Sequence, residues 1–325
     1  MNDHPPLEDD TSRLPGEPPA VTAVVPTVDR PESLLRAVRS ILHQDYPGWI
    51  EVVVVHDGTP PRAPDVGVLP PRRRLRVVAN TRSRGLAGAR NTGILAAGGD
   101  LVAFCDDDDL WRTSKLARQV EAWEKNRDAS AVATGMTLVL PDRATDRIPP
   151  ARTRHAHLVR SRVLGLHPSS FLIPRNLLGG TVGLVDEDLP GSYGEDYDLL
   201  LRLSRRGDIV VVQEPLLVVE WSGSSYFDGR WTMIAQALAH LLDKHPDIAR
   251  DRRGWSRVAG QIAFAQAAAA RTRGTGGRPR AVRWSVRTLG RDPRQLRAWA
   301  ALAVAAGLVD PAWLLGRVQR RGHGL

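Results

Sequence analysis

The chain is poor in the features that most quickly sort a protein into a class. Its 325 residues hold one cysteine, Cys105, so no intrachain disulfide can form and a reducing, cytoplasmic setting is expected. The longest apolar stretch, Ala298 to Val309, is 12 residues, short of the ~20 that span a bilayer. The first 20 residues lack the apolar segment of a signal peptide and carry Asp3, Glu8, Asp9, Asp10, Glu17 and five prolines. They read as a disordered lead-in over residues 1–19. No G-x-G-x-x-G follows the first predicted strand, and no G-x-x-x-x-G-K occurs. That excludes most dinucleotide dehydrogenases and P-loop enzymes. Residues 271–325 have no lysine and only two acids, Asp292 and Asp310, against twelve arginines. The net charge of +9 therefore sits in this tail. A solvated helix face is its simplest reading, and peripheral contact with an anionic membrane its functional one. Aromatic residues at base-stacking spacing are missing, so nucleic acid is not an expected partner.

What is present alternates strand and helix through the first half. Val21 to Pro26 reads as a strand and Ile50 to Val55 as another, of the continuous apolar kind that is buried on both faces. Leu75 to Ala79 and Leu101 to Cys105 are the third and fourth. Helices are predicted over Pro31 to His43, Leu86 to Ala97, and Thr113 to Asn126 with Thr113 as cap. The alternation predicts an α/β fold with a mostly parallel sheet flanked by helices. Further strands are expected at Ala131 to Leu140, Ser170 to Pro174, Asp208 to Val212 and Leu216 to Trp221, the last two separated by Pro215. A helix is expected over Glu195 to Arg206, with Leu199, Leu200 and Leu203 inward. From about Trp231 the pattern is helical only, at 231–245, 255–272, 279–290, 293–308 and 311–321, with Trp255, Trp284, Trp299 and Trp313 as packing anchors. The expected division is residues 20–228 as the α/β domain and 229–325 as an all-helical, arginine-rich appendage. The tail is also the natural surface for a homo-oligomer.

Polar residues follow each of the first four strands: Thr27 and Asp29, then His56-Asp57-Gly58, then Arg82, Arg84 and Gly85, then Asp106 to Asp109. The carboxyl edge of an open α/β sheet is where ligands bind. Four adjacent carboxylates repel one another and call for a compensating cation. Oxygen ligands of this kind suit Mg²⁺ or Mn²⁺, which favour phosphate-bearing substrates.

Val24-Val25-Pro26-Thr27, Val55-His56-Asp57-Gly58, Ala89-Arg90-Asn91-Thr92-Gly93-Ile94, Asp106 to Trp111 and Gly194-Glu195-Asp196-Tyr197-Asp198-Leu199 together resemble the family 2 glycosyltransferases of GT-A fold. The resemblance covers about residues 20–225 and implies an inverting, metal-dependent transferase that uses a nucleotide-diphosphate sugar, commonly a UDP-sugar. It implies that Thr27, Asp29 and Asp57 hold the nucleoside and that Arg90 lies near the diphosphate. Asp106, Asp107 and Asp108 would be the D-x-D element, with Asp106 and Asp107 on the donor nucleotide sugar and Asp108 and Asp106 toward the metal. Asp196 would be the general base and Glu195 the reserve. Ser169-Ser170-Phe171 and Asp186-Glu187 would border the acceptor, whose identity the sequence does not give. His56 stands where the family usually has an acid and reads as a packing residue. His155 and His157 read as surface residues, and Cys105 as a buried non-nucleophile. Glu220 to Ser225 lacks the metal-binding histidine of many relatives, so weak metal affinity without donor is expected. Two other readings are a catalytically silent nucleotide-sugar-binding scaffold and a sugar nucleotidyltransferase. The second lacks its glycine-rich, basic loop here.

Overall fold

A computed structural model of the chain describes residues 16–221, 227–273 and 277–320. Residues 1–15 of the lead-in and Ser222 to Ser225 lie outside them. Two compact units are present. The first holds residues through Leu158, Val163–Glu187, and Glu195 to the end of the sheet; the second holds Val159–Arg162, Asp188–Gly194 and the described residues from Phe227 on.

Along the first unit run β1 (Val21–Thr27), α1 (Pro31–Leu42), β2 (Ile50–His56), β3 (Arg73–Ala79), α2 (Leu86–Ala96), β4 (Leu101–Phe104), β5 (Asp109–Trp111), α3 (Lys115–Glu124) and β6 (Ala131–Val139). After these come β7 (Ala144–Arg147), β8 (Arg152–Thr153), α4 (His155–Arg160), a 3-10 turn at Pro168–Ser170, β9 (Leu172–Pro174), α5 (Arg175–Leu178), α6 (Glu195–Ser204) and β10 (Ile209–Glu220). The strand order is β3-β2-β1-β4-β9-β6-β10-β5, with β7 on β6 and β8 on β10. β3, β2, β1 and β4 are parallel. β9 is antiparallel to both its neighbours, β10 runs parallel to β6, and β5 closes the edge antiparallel to β10.

Every residue of β1 and β2 is buried, as their unbroken apolar runs require of strands covered on both faces. Pro31 opens α1, where its missing N–H costs nothing. Leu34, Ala37, Val38, Ile41 and Leu42 turn that helix onto the core. The other covering helix, α2, lies so close to β1 that a Cβ at Gly93 would stand 2.2 Å from Val24 Cγ1. Registry then sets the working edge. Thr27 lies beside His56, and His56 beside Ala79. β4 pairs only as far as Val24–Phe104, so the aspartates leave the sheet alongside the last turn of β1.

The second unit contains α7 (Trp231–Lys244), α8 (Pro246–Arg250), α9 (Arg252–Arg273), α10 (Arg278–Arg291), α11 (Leu296–Ala305) and α12 (Pro311–Arg320). α9 is the central post, packed by α7, α8, α10 and α11. Its buried Ala259, Ala263, Ala267 and Ala268 allow close approach. Trp255 of α9 stacks at a tilt on Trp284 of α10, centroids 6.3 Å apart.

Several expectations need correcting. β10 is one strand rather than two. Pro215 sits where its pairing with β6 shifts register, a place that tolerates a residue without an N–H. α3 begins at Lys115 after Ser114, and no side chain caps it, so Thr113 is not its cap. Trp299 and Trp313 are 54% and 53% exposed, so they are not the buried anchors expected. No helix among the described residues is long and apolar enough to cross a membrane.

Candidate active site

The four aspartates alternate in environment. Asp107 and Asp109 are buried, while Asp106 and Asp108 are half-exposed. Each has a cationic or hydrogen-bonding partner within the protein. Thr27 Oγ1 donates to Asp107 at 2.7 Å. Arg30 spans Asp107 at 3.3 Å and Asp108 at 2.7 Å. Arg90 Nη2 meets Asp106 at 2.7 Å. His167 Nδ1 lies 3.4 Å from Asp109 Oδ2. The repulsion expected of the cluster is thus met first by protein groups. Burial still dominates the inner pair. It pushes Asp107 up to about 6 against the Thr27 hydrogen bond and Arg30. It pushes Asp109 up to about 7 against His167. Lys115, wholly buried over the Trp111 ring and donating to Gln119, is pushed down to about 7 by the same desolvation.

Arg90 joins this cluster to the start of α6. Its side chain is 1% exposed, so it is no surface arginine. One guanidinium nitrogen takes Asp106 and another takes Glu195. Burial lowers the Arg90 pKa, but Glu195, Asp106 and Asp196 outweigh it and raise it overall. Asp196 is therefore close enough for its charge to act on Arg90. Glu195 is buried and ion-paired, whereas Asp196 beside it is half-exposed. Both stand in the first turn of α6, where the helix dipole favours negative charge.

Asp57 accepts from Asn80 Nδ2 at 2.8 Å and from the Gly85 N–H at 2.9 Å. Asn80 is in turn held by Thr92 of α2 at 2.8 Å. Asn91 reaches the other way, donating to Val185 O and Glu187 and accepting from the Val185 N–H. Glu187 also collects Ser83 and Arg82. Burial opposes its charge, but the bonds from Ser83, Arg82 and Asn91 hold it at about 2. Asp29 is exposed with φ +49°, in the left-handed region open to a short polar residue. His56 packs between Thr59 and Arg62 O, as expected. Cys105 is fully buried, and burial together with Asp109 raises its pKa well above the usual thiol range. Ser169 is buried and accepts from the Asp106 N–H at 2.9 Å.

The family description for glycosyl transferase family 2 matches residues 22–178. Residues 22–178 thus carry a glycosyl transferase family 2 domain. Curated relatives include the succinoglycan biosynthesis protein ExoO of Rhizobium meliloti, 40% identical over 32% of this chain and 29% of that protein. The Bacillus subtilis glycosyltransferase EpsJ is 33% identical over 59% of this chain and 58% of its own length. The Escherichia coli protein WfgD, named a UDP-Glc:α-D-GlcNAc-diphosphoundecaprenol β-1,3-glucosyltransferase, is 30% identical over 33% of this chain and 42% of its own. The match thus spans well under two thirds of these relatives. Among solved structures, S. aureus TarS 1-349 in complex with UDP-GlcNAc aligns at TM-score 0.53 and 15% identity, covering 94% of this chain and 92% of that one. A Pyrobaculum calidifontis mannosyltransferase in complex with GDP-Man and Mn²⁺ aligns at 0.51 and 20%, covering 91% and 88%. These likenesses carry the fold, and the expected GT-A architecture is the one observed.

The glycosyltransferase motifs divide into two kinds of residue. Thr27, Asp29, Asp57, Asp106 and Asp108 line the carboxyl edge, while Arg90, Asn91, Thr92 and Gly93 hold that edge together from α2. Asp106 and Asp108, the half-exposed pair, are oxygen donors of the type that suits Mg²⁺ or Mn²⁺, so the donor set fits a divalent ion. Arg30, Asn80 and His167 were not singled out in the sequence. Arg30 directly follows Asp29, but nothing local shows that its counter-charges lie some eighty positions on. His167 adjoins the Ser169-Ser170 pair, a faint signal at best.

Proposed function

We propose that the protein is an inverting glycosyltransferase that moves a sugar from a nucleotide-diphosphate sugar, most simply a UDP-sugar, to an acceptor hydroxyl of a glycan, glycolipid, peptide or secondary metabolite. The observation that carries this reading is the buried Arg90, which ties Asp106 at the end of β4 to Glu195 at the head of α6. That link brings the half-exposed Asp196 to the acid cluster. The complexes of similar folds with UDP-GlcNAc and with GDP-Man and Mn²⁺ support the same reading. The WfgD name, with its lipid-diphosphate acceptor, supports a glycolipid among the candidates.

In this reading Thr27 and Asp29 border the nucleoside. Asp57 has two oxygens engaged by Asn80 and Gly85 and keeps lone pairs for a base N–H. Asp196 takes the proton of the acceptor hydroxyl as that oxygen attacks the anomeric carbon opposite the departing diphosphate. Glu195 is unsuited to that task because Arg90 already holds its carboxylate. Arg90 acts as a positioning residue rather than a diphosphate contact. Bound at Asp106 and Asp108, Mg²⁺ or Mn²⁺ would offset the charge that develops on the leaving group.

The test is a donor screen. Purified protein meets UDP-, GDP- and dTDP-sugars with Mn²⁺ or Mg²⁺, and released nucleotide is read out. One donor should be turned over, Asp108→Ala should abolish this, and Asp196→Asn should lower acceptor-dependent transfer by ~10²–10⁴-fold. Neither binding nor turnover of any nucleotide sugar would overturn the proposal.

A further inference from the structure

Asp109 is harder to account for than its neighbours. The residue is 2% exposed, and its Oδ2 accepts no hydrogen bond. A buried carboxylate oxygen left so costs free energy. The group facing it is His167 Nδ1 at 3.4 Å. That nitrogen is also 3.3 Å from the Ser169 N–H, which fixes the ring in place. The buried Asp109 oxygen and the imidazole nitrogen thus face each other across a short gap. Asp106 adds a third group: ligand atoms of Asp106, Asp109 and His167 all lie within 4.8 Å of one another. Donors bound at ~2.0–2.2 Å to one ion stand at most about 4.4 Å apart, so a small contraction suffices.

We infer that Asp106, Asp109 and His167 form a cation site that binds a first-row transition metal in the absence of nucleotide sugar. The site is built beforehand. His167 caps the 3-10 turn at Pro168–Ser170, and Ser169 Oγ in that turn fixes the Asp106 backbone at 2.9 Å. Asp106 thus comes from the turn after β4, Asp109 from the first position of β5, and the imidazole from the segment before β9. The neighbouring acids are already neutralised, Asp107 and Asp108 by Arg30 and one oxygen of Asp106 by Arg90. One nitrogen and two carboxylate donors favour Mn²⁺, Fe²⁺ or Zn²⁺ over Mg²⁺, which prefers oxygen alone. This site shares Asp106 with the Asp106–Asp108 pair but adds Asp109 and an imidazole nitrogen, and it differs from the weak donor-free affinity expected of the sequence. It also stands apart from the sugar-transfer proposal, since metal binding is read without any sugar nucleotide.

The test uses the full chain and Mn²⁺ alone, followed by electron paramagnetic resonance. Wild type should bind Mn²⁺ saturably, and its spin echo should carry the modulation of a coordinated imidazole nitrogen. His167→Gln should lose that modulation and weaken binding at least ~10-fold, while Asp108→Asn keeps both. An equal concentration of Mg²⁺ should not displace the ion. A melting curve without metal shows whether His167→Gln is folded; if it is not, the nitrogen signal of the wild type decides alone. No saturable Mn²⁺ binding, a signal without nitrogen, or binding lost in Asp108→Asn and kept in folded His167→Gln would each overturn the inference. The first result would mean that a proton on Asp109 fills the gap.

Discussion

In the sheet unit several arginines turn inward. Arg90 sits between Glu195 and Asp106, and Arg73 donates to the carbonyls of Leu42, Gln44, Tyr46, Gly48 and Arg72. In the helical unit they turn outward. Arg280, Arg283, Arg287 and Arg291 of α10 are exposed, interleaved with Val282 and Val286, and that helix contains no acid. The same residue type thus performs two tasks. Inside, its fork of donors makes it a joint between segments far apart in sequence. Outside, folding scarcely needs it, and it sets the field the surface presents.

Breaking the inner joint should have the largest effect. Arg90→Met removes the cation that joins the buried Glu195 to the half-exposed Asp106. It should cost ~3–5 kcal/mol in urea unfolding and abolish transfer. A loss below ~1 kcal/mol would mean the two carboxylates find other partners. Next is the clamp at Glu187. A carboxylate held at about 2 in the folded chain adds stability above its ordinary 4.5, and that share is lost as pH falls from there toward 2. Glu187→Gln should therefore be less stable than wild type at neutral pH, and the difference should close on acidification. Urea midpoints at three pH values read this directly, and a constant gap would contradict it. Smallest in stability is the outer set. Arg283→Gln with Arg287→Gln should shift folding by no more than ~0.5 kcal/mol. The pair should nonetheless weaken binding to anionic phospholipid vesicles by about 1 kcal/mol per arginine if α10 meets a membrane.

Much of the scaffold was legible because burial on both faces leaves an unmistakable mark. Val21 to Pro26 and Ile50 to Val55 could scarcely be anything but central strands, and their ends located the edge where polar residues collect. Short or interrupted elements were not legible. β5 is three residues and begins with an aspartate, and Pro215 reads locally as a break although β10 bulges past it. Within the site, Asp106, Asp108 and Asp196 were candidates through the order of motifs, but their surroundings were not legible. Whether an arginine on a helix faces water or two carboxylates depends on what the chain brings opposite it. For Arg90 those partners are 16 and 105 positions away. The same holds for His167, whose neighbours Asp106 and Asp109 lie at strand ends that no local pattern links to it.

Cys105 gains a use from its position. The only thiol of the chain is wholly enclosed at the end of β4, immediately before the aspartates. A small alkylating reagent can reach it only when that part of the sheet opens. The rate of modification under native conditions therefore times the breathing of the carboxyl edge itself, with no label introduced. Adding nucleotide sugar or metal to the same reaction would show, as a slowed clock, which of them holds that edge shut.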